Sequence, residues 1–204
     1  MKIKIMTLGL CLFASQFLAA QDAAVEDFLK RLEAFNEKTT SIVSDFEQVQ
    51  EFSFLEEKMN SSGKFYFMKP GIMKWDQIKP EPYFFVIKED EAYKSDGNGI
   101  KKIPVNSPQI IGFKKFLMQT MDGSILKSDD FTHEITLTDL SAKITLVPQQ
   151  RALKRMFSQV RLVFDKKTLL LTELTFYESA EDFRSVYFSQ HELNTLTDAA
   201  QFTR

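Results

Sequence analysis

The chain has 204 residues, of which 26 are Lys or Arg and 28 are Asp or Glu, and its formal net charge is −2. No basic excess is present to neutralise phosphates, so the composition argues against a nucleic-acid-binding protein. Cys11 is the single cysteine, which excludes an intrachain disulfide framework.

Residues 1–20 have the pattern of a secretory signal peptide. Two lysines precede the apolar run IMTLGLCLFASQFLAA, and the small residues Ala19 and Ala20 offer a cleavage site before polar QDAAVED. The run is short for a permanent membrane anchor. Cys11 lies inside the run rather than behind small residues at its end, which argues against a lipidated cysteine.

Cleavage after residue 20 would leave about 184 of the 204 residues, with 24 basic and 28 acidic side chains and no cysteine. This length fits one domain, which we expect over residues 21–204. Eighteen of the 20 phenylalanines would remain, since Phe13 and Phe17 lie in the signal peptide. That number exceeds the need of a sandwich core, so it indicates either a core rich in Phe or a core together with an aromatic-lined cavity.

The segment VEDFLKRLEAF is predicted to form an amphipathic helix, with Asp22 as a candidate N-cap. Its apolar positions form one stripe: Val25, Phe28, Leu29, Leu32 and Phe35. Because its polar face mixes acids with Lys30 and Arg31, docking against a sheet is favoured over binding at a membrane surface.

Residues 41–55, SIVSDFEQVQEFSFL, are predicted to form a long strand. Apolar side chains share one parity at Ile42, Phe46, Phe52 and Phe54, with Gln48 and Gln50 among their inward neighbours. Acidic residues fill most of the other face.

Four further strands follow as KFYFMK, IMKWDQI, PYFFVIKE and EAYKSD. They are separated by turn sequences at Pro70-Gly71 and 80–82 and end at Asp96-Gly97, which predicts an antiparallel meander. In the first of them Phe65 and Phe67 face one side and Tyr66 and Met68 face the other, so both faces of this strand require a cover.

A second helix is predicted over residues 108–121, ending at Asp122-Gly123. Strand-like alternation then returns in FTHEITLTD, AKITLVP, SQVRLVFDKK, LLLTELTFYE and SVYFSQHELN, while QQRALKRMF fits a helical turn within a loop. The predicted fold is mainly β, of the α+β class: one large, strongly curved antiparallel sheet with helices on its concave face.

No pattern of residues indicates an enzyme. His133 and His191 lie in predicted strands without metal-ligand spacing, and neither a G-x-S-x-G elbow nor a phosphate-binding glycine loop occurs. The acid pairs at 129–130 and 181–182 flank turn-like segments, where solvated carboxylates are ordinary. We therefore expect no catalytic residue, no metal and no cofactor.

Two segments, SDFEQVQ at 44–50 and GKFYFMKPGIMKWDQIKPEPYFFVIKEDEAYKSDG at 63–97, resemble the LolA family of periplasmic lipoprotein carriers. The matching residues, in order, are Phe46, Gln48, Gly63, Pro70, Trp75, Pro80, Asp96 and Gly97. The resemblance implies an unclosed antiparallel β-barrel with a helical lid and an apolar cavity for the acyl chains of lipoproteins.

The family has arginine immediately before the tryptophan, where this chain has Lys74. The resemblance implies that this position hydrogen-bonds the lid and takes part in its opening and closing. Lysine supplies a charge but not a planar fork of donors. Lys74 is therefore our candidate for lid control, and a divergent branch that carries another lipid is an alternative.

The function implied is that of a monomeric periplasmic carrier, loaded at an inner-membrane ABC-type release complex and delivering acylated lipoproteins to an outer-membrane acceptor. A carrier of another lipid or glycolipid, and a non-enzymatic envelope structural or adaptor protein with a solidly packed barrel, remain alternatives. Our candidates for the lining of the acyl cavity are Phe46, Phe65, Phe67, Trp75, Phe85, Phe116 and Leu117.

Overall fold

The computed structural model of the protein describes residues 6–95, 98–106 and 108–202, with the backbone alone for residues 6–20, 108–109 and 121–122. The predicted turn at Asp96-Gly97 lies outside these residues. The helices are α1 (Met6–Lys38), α2 (Pro108–Asp122) and the single turn α3 (Arg151–Lys154), with 3₁₀ turns at Ser124–Lys127 and Ala200–Phe202.

Eleven strands form one sheet. They are β1 (Ser41–Glu51), β2 (Met59–Met68), β3 (Ile72–Lys79), β4 (Tyr83–Ile87), β5 (Ala92–Ser95), β6 (Ile100–Ile103), β7 (Phe131–Leu137), β8 (Ser141–Pro148), β9 (Gln159–Asp165), β10 (Leu171–Tyr177) and β11 (Phe183–Leu193). β6 follows the predicted meander as an additional strand, which the charged sequence IKKI did not indicate.

The strand order is β6-β5-β4-β3-β2-β1-β11-β10-β9-β8-β7, and every neighbouring pair is antiparallel. Each half of the chain forms a meander, and the two halves join where β1 pairs with β11. β6 and β7 are the two edges, so the sheet is not closed. The predicted unclosed, mainly β architecture with helices is confirmed.

The core lies between the inward face of this sheet and the helices. In the C-terminal half, the strand register aligns one inward row across five strands: Val186, Leu174, Leu162, Ile144 and Ile135. The first four of these side chains are buried. Regular alternation on well-registered strands therefore builds one continuous apolar surface beneath the helices.

α1 covers the C-terminal half of the sheet. Phe28 and Leu32 are buried, and the ring of Phe28 lies 6.3 Å from that of Phe164 on β9. Within the described residues the helix extends N-terminally past Asp22 as far as Met6. Residues 10–38 favour this extension, because they contain neither Gly nor Pro and are rich in Ala and Leu. Among the described residues, no helix combines the length and apolar character needed to cross a membrane.

β1 is shorter than predicted. It ends at Glu51, and Phe52 and Phe54 lie in the loop to β2, where their rings stack with centroids 5.4 Å apart and Phe54 is exposed. The predicted inward positions Ile42, Phe46 and Gln48 remain in the strand. Phe52 and Phe54 continue the apolar alternation in the sequence but not the strand itself, because pairing with β2 stops at Gln50.

The C-terminal segment covers the outer, convex face of β2 and β3. Phe67 faces the core, whereas the ring of Tyr66 lies 6.4 Å from that of Phe202, which is 1% exposed. Phe202 belongs to the 3₁₀ turn Ala200–Phe202, which contacts β3. Both apolar faces of β2 are therefore covered. The core beneath the helices covers one face, and the C-terminal 3₁₀ turn covers the other.

Candidate functional site

A cavity of about 450 Å³ lies between the concave face of the sheet and α2. It is lined by Gln48, Gln50, Phe65, Met73, Trp75, Gln77, Tyr83, Phe85, Ile110, Phe113, Leu117, Met156, Leu174, Phe176, Arg184, Val186 and Phe188. Most of these side chains are aromatic or aliphatic. The volume falls within the range of roughly 300–1,000 Å³ that is usual for ligand pockets.

The aromatic wall of the cavity comes from three neighbouring strands. Phe65 on β2, Trp75 on β3 and Phe85 on β4 are cross-strand partners in one row. The rings of Phe65 and Trp75 are 6.3 Å apart, and that of Phe85 is 6.4 Å from Phe113 on α2. Strand pairing thus gathers side chains that are about ten residues apart in the sequence.

The opposite wall is one face of α2. Ile110, Phe113 and Leu117 line the cavity at helical spacings of three and four residues. Lys114 fixes this helix to the sheet, since its Nζ donates hydrogen bonds to the carbonyl oxygens of Lys88, at 3.1 Å, and Glu89, at 2.9 Å. These acceptors lie in the turn between β4 and β5, so α2 is held at one edge of the cavity.

Apart from Gln48, which is buried farther along β1, the polar lining residues lie at one rim. Gln50 pairs with Arg184 near the end of β1 and the start of β11, and Gln77 pairs with Tyr83 near the end of β3 and the start of β4. Because the strands are antiparallel, these ends meet at the same margin of the sheet. The cavity is therefore apolar in its depth and polar at that rim.

The predicted lining residues divide into two groups. Phe65, Trp75, Phe85 and Leu117 line the cavity. Phe46, Phe67 and Phe116 belong instead to the packed core, each no more than 2% exposed. Phe46 stacks on Trp75 with ring centroids 3.8 Å apart, so it supports the cavity wall from behind.

Several lining residues were not named from the sequence. Arg184, Val186 and Phe188 come from alternate positions of β11, and their neighbour Tyr187 points to the other face, where it is 46% exposed. This alternation was visible in SVYFSQHELN and could have placed two of them inward. Met156, which follows α3, carried no comparable signal.

Lys74 does not lie at the lid. Its neighbours Met73 and Trp75 line the cavity, so alternation points Lys74 to the convex face, on the side of the sheet opposite α2. Its Nζ lies 2.9 Å from Asp76 and within 6 Å of the ring centroids of Tyr66 and Phe84. The structure thus places Lys74 away from α2, and its role in lid control stays a prediction.

Another lysine of the same hairpin does contact a helix. The Nζ of Lys69 donates a hydrogen bond of 2.6 Å to the carbonyl oxygen of Asn36, in the last turn of α1. A cation at the C-terminal end of a helix also interacts favourably with the helix dipole. Lys69 therefore joins α1 to the turn between β2 and β3.

The two histidines are separate from the cavity. His133 is exposed on β7. His191 is partly buried, its Nδ1 lies 2.7 Å from the buried Oγ of Ser44, and burial lowers its pKa below the usual value. The adjoining space is only about 30 Å³, too small for a substrate. Among the described residues, no group of three or more His, Cys, Asp or Glu side chains could hold a metal ion.

An open antiparallel sheet with an apolar cavity beneath a helix defines the class of fold to which the protein belongs. Within this class, residues 37–204 match the family model described as outer membrane lipoprotein carrier protein LolA. The chain belongs to the LolA family, as the resemblance of its central segments predicted. A comparison with curated proteins gives no match.

Solved structures with a similar fold come from several bacteria. An uncharacterised conserved protein from Thermus thermophilus is 16% identical, with 89% of this chain and 93% of that chain covered and a TM-score of 0.54. A DUF1329 family protein from Desulfovibrio piger is 12% identical, with 90% and 98% covered and a TM-score of 0.50. At these identities the likeness concerns the fold alone.

Proposed function

We propose that the protein is a non-enzymatic periplasmic carrier that binds acyl chains of lipoproteins in the cavity beneath α2 and shuttles them from the inner to the outer membrane. The observation that carries this proposal is the cavity of about 450 Å³ with its aromatic and aliphatic walls. Apolar walls of this extent favour binding of apolar groups, because their burial removes apolar surface from water. The cavity also disfavours the alternative of a solidly packed structural barrel.

The energetics of acyl binding suit a carrier that must release its cargo. A chain of about sixteen carbons gains roughly 12 kcal/mol on full burial, at about 0.8 kcal/mol per methylene. Full burial of two or three chains would exceed the roughly 18–21 kcal/mol at which non-covalent affinity saturates. Partial burial, or the cost of displacing α2, keeps the net affinity low enough for the next acceptor to take the cargo.

The partners follow from the family and from the predicted signal peptide. An inner-membrane ABC-type complex would load the carrier, and an outer-membrane acceptor would receive the cargo. Met73 and Met156 in the lining suit cargo of varied shape, since methionine adapts its conformation readily. We propose that the carrier works as a monomer of a single domain.

Direct ligand binding tests the proposal. Protein purified from its own periplasm should carry acyl ligands detectable by native mass spectrometry, and the stripped protein should bind a fluorescent fatty-acyl probe. Absence of both would contradict an acyl carrier of any kind. The identity of the copurified cargo separates the alternatives, because a glycolipid or another lipid in place of an acylated lipoprotein would contradict lipoprotein transport alone.

Substitutions at two adjacent residues test whether the ligand binds in the cavity. Val186 lines the cavity and is 2% exposed, so Val186→Trp should fill the space and weaken binding of the probe by about tenfold, or about 1.4 kcal/mol. Tyr187→Trp is the control, since that side chain lies on the convex face and is 46% exposed. Equal affinities of the two variants, both folded by circular dichroism, would show that the ligand binds elsewhere.

A further inference from the structure

Arg184 is a charged side chain in the wall of the cavity. Among the lining residues that the structure describes, it alone carries a charge. Its Nε is buried and has no hydrogen-bond partner within the described part of the chain. Burial of an unpaired guanidinium donor costs free energy, so such groups normally have a partner.

Three acidic side chains around Arg184 have other partners. The carboxylate of Asp182 accepts hydrogen bonds from the backbone N–H of Ser53, at 2.7 Å, and the hydroxyl of Ser179, at 2.9 Å. On the neighbouring strands, Glu51 pairs with Lys58 at 2.6 Å and Glu173 pairs with Arg161 at 2.6 Å. These carboxylates therefore supply no counter-ion to the Nε of Arg184, whose side chain borders the cavity.

The surroundings of Arg184 are arranged like a headgroup site. Arg184 lies at the polar rim, opposite Gln50 and beside Phe176, with no acidic residue in the lining of the described cavity. Gln50 adds a neutral amide at the same rim, whereas the Nε2 of Gln77 already donates a hydrogen bond of 2.9 Å to the carbonyl oxygen of Glu81. A ligand whose chain fills the apolar depth would bring its polar end to this rim.

We propose that Arg184 binds the anionic headgroup, a carboxylate or a phosphate, of an amphiphile whose acyl chain occupies the cavity. This inference rests on the proposed binding of an acyl chain. It specifies the ligand as the alternative cargo, another lipid, because the acylated cysteine of a lipoprotein carries ester and amide groups rather than an anion. The planar guanidinium offers several N–H donors in a fixed fork that matches carboxylate and phosphate oxygens. Because its Nε is buried in an apolar wall, the contact is only weakly screened by solvent.

Ligands that share one chain and differ in the headgroup test this inference. Affinities of dodecanoate, dodecyl phosphate and dodecanol for the protein would be measured by displacement of a fluorescent acyl probe at about pH 8, where both acids are ionised. Arg184→Gln should weaken binding of the two anions by about tenfold or more and change that of dodecanol by less than about twofold. Arg184→Lys should fall between the two.

Arg151→Gln serves as the matched control. Because Arg151 is exposed at the start of α3, this substitution should leave all three affinities unchanged.

A second variant tests the unpaired charge without any ligand. Arg184→Met should raise the melting temperature of the ligand-free protein while it weakens binding of the anions, because an uncompensated charge is replaced by an apolar side chain.

The outcomes separate this inference from the proposed function. Equal losses for the anions and dodecanol in Arg184→Gln, or no loss for either, would overturn the headgroup contact and leave the acyl cavity intact. If the unaltered protein binds none of the three ligands, the proposed function itself fails, and the headgroup site with it. A loss for only one of the two anions would identify which headgroup the site accepts.

Discussion

At the scale of single residues, the protonation of the partly buried His191 is coupled to folding. Burial lowers its pKa from the usual 6.5, so the folded state favours the neutral ring. Below about pH 6.5 the unfolded chain binds this proton more readily than the folded one. The stability should therefore fall as the pH decreases through 6.5 toward the lower pKa of the folded state.

Urea unfolding between about pH 7.5 and about pH 5 measures this effect. His191→Asn should flatten the decrease in unfolding free energy, because the buried ring is the group that resists the proton. His133→Asn is the control, since that ring is exposed on β7. Equal pH dependence of the two variants would rule out His191 as the coupled group.

Substitution by alanine should have opposite effects on stability at two glycines, Gly63 and Gly112. At Gly63, where β2 has an irregular register with β3, a Cβ would overlap the carbonyl oxygen of Asp76 and lie 2.8 Å from the Cα of Gln77. Since both obstacles are backbone atoms, Gly63→Ala should destabilise the protein by about 1–3 kcal/mol.

Gly112 in α2 is the comparison, because its Cβ would meet only the side chain of Leu153, at an ordinary 3.5 Å. Gly112→Ala should stabilise the protein by about 0.5–1 kcal/mol through helix propensity. Unfolding free energies in urea measure both changes. A stable Gly63→Ala variant would mean that the strands β2 and β3 separate more easily than their pairing suggests.

At the scale of elements, the end of the chain acts as a cover for the sheet. Phe202 is 1% exposed against the convex face, so Phe202→Ala should cost about 3–5 kcal/mol of unfolding free energy. Gln201→Ala, at an exposed neighbouring position, should change stability by less than about 0.5 kcal/mol. Binding of an acyl probe should survive both changes, because the cavity lies on the other face.

A small effect of Phe202→Ala would mean that the C-terminal turn does not stay docked in solution. The sequence contained little indication of this docked C-terminal turn. A single aromatic residue within TLTDAAQFTR has no periodic partner, so its burial depends on a surface formed about 130 residues earlier, around Tyr66.

At the scale of the whole molecule, the pairing of β1 with β11 makes one binding surface from two meanders. The aromatic wall comes from the N-terminal half, and Val186, Phe188 and Arg184 come from the C-terminal half. The seven lining candidates named from the sequence came only from the N-terminal half and α2, so the C-terminal contribution was missed. Alternation predicted which side chains point inward, but not which inward side chains border an open space.

Strand alternation in the sequence already indicated the direction of the Lys74 side chain. Trp75 was predicted to line the cavity, and strand alternation then requires the preceding residue to face outward. The resemblance to the family drew attention to this position, whereas Lys69, five residues earlier, is the lysine that contacts a helix. Family motifs and strand geometry are therefore best applied together.

The sequence by itself determined the two meanders, the position of α2, the amphipathic segment of α1 and the LolA family, because strand alternation, helical periodicity and turn residues act between neighbours in the chain. The tertiary structure decided that Phe46 and Phe67 fill the core while Phe65 borders the cavity. It also decided that Arg184 has no partner for its Nε. Both outcomes depend on how closely α2 and the concave face of the sheet approach each other. A cavity remains where the side chains between helix and sheet do not fill the space that the two enclose.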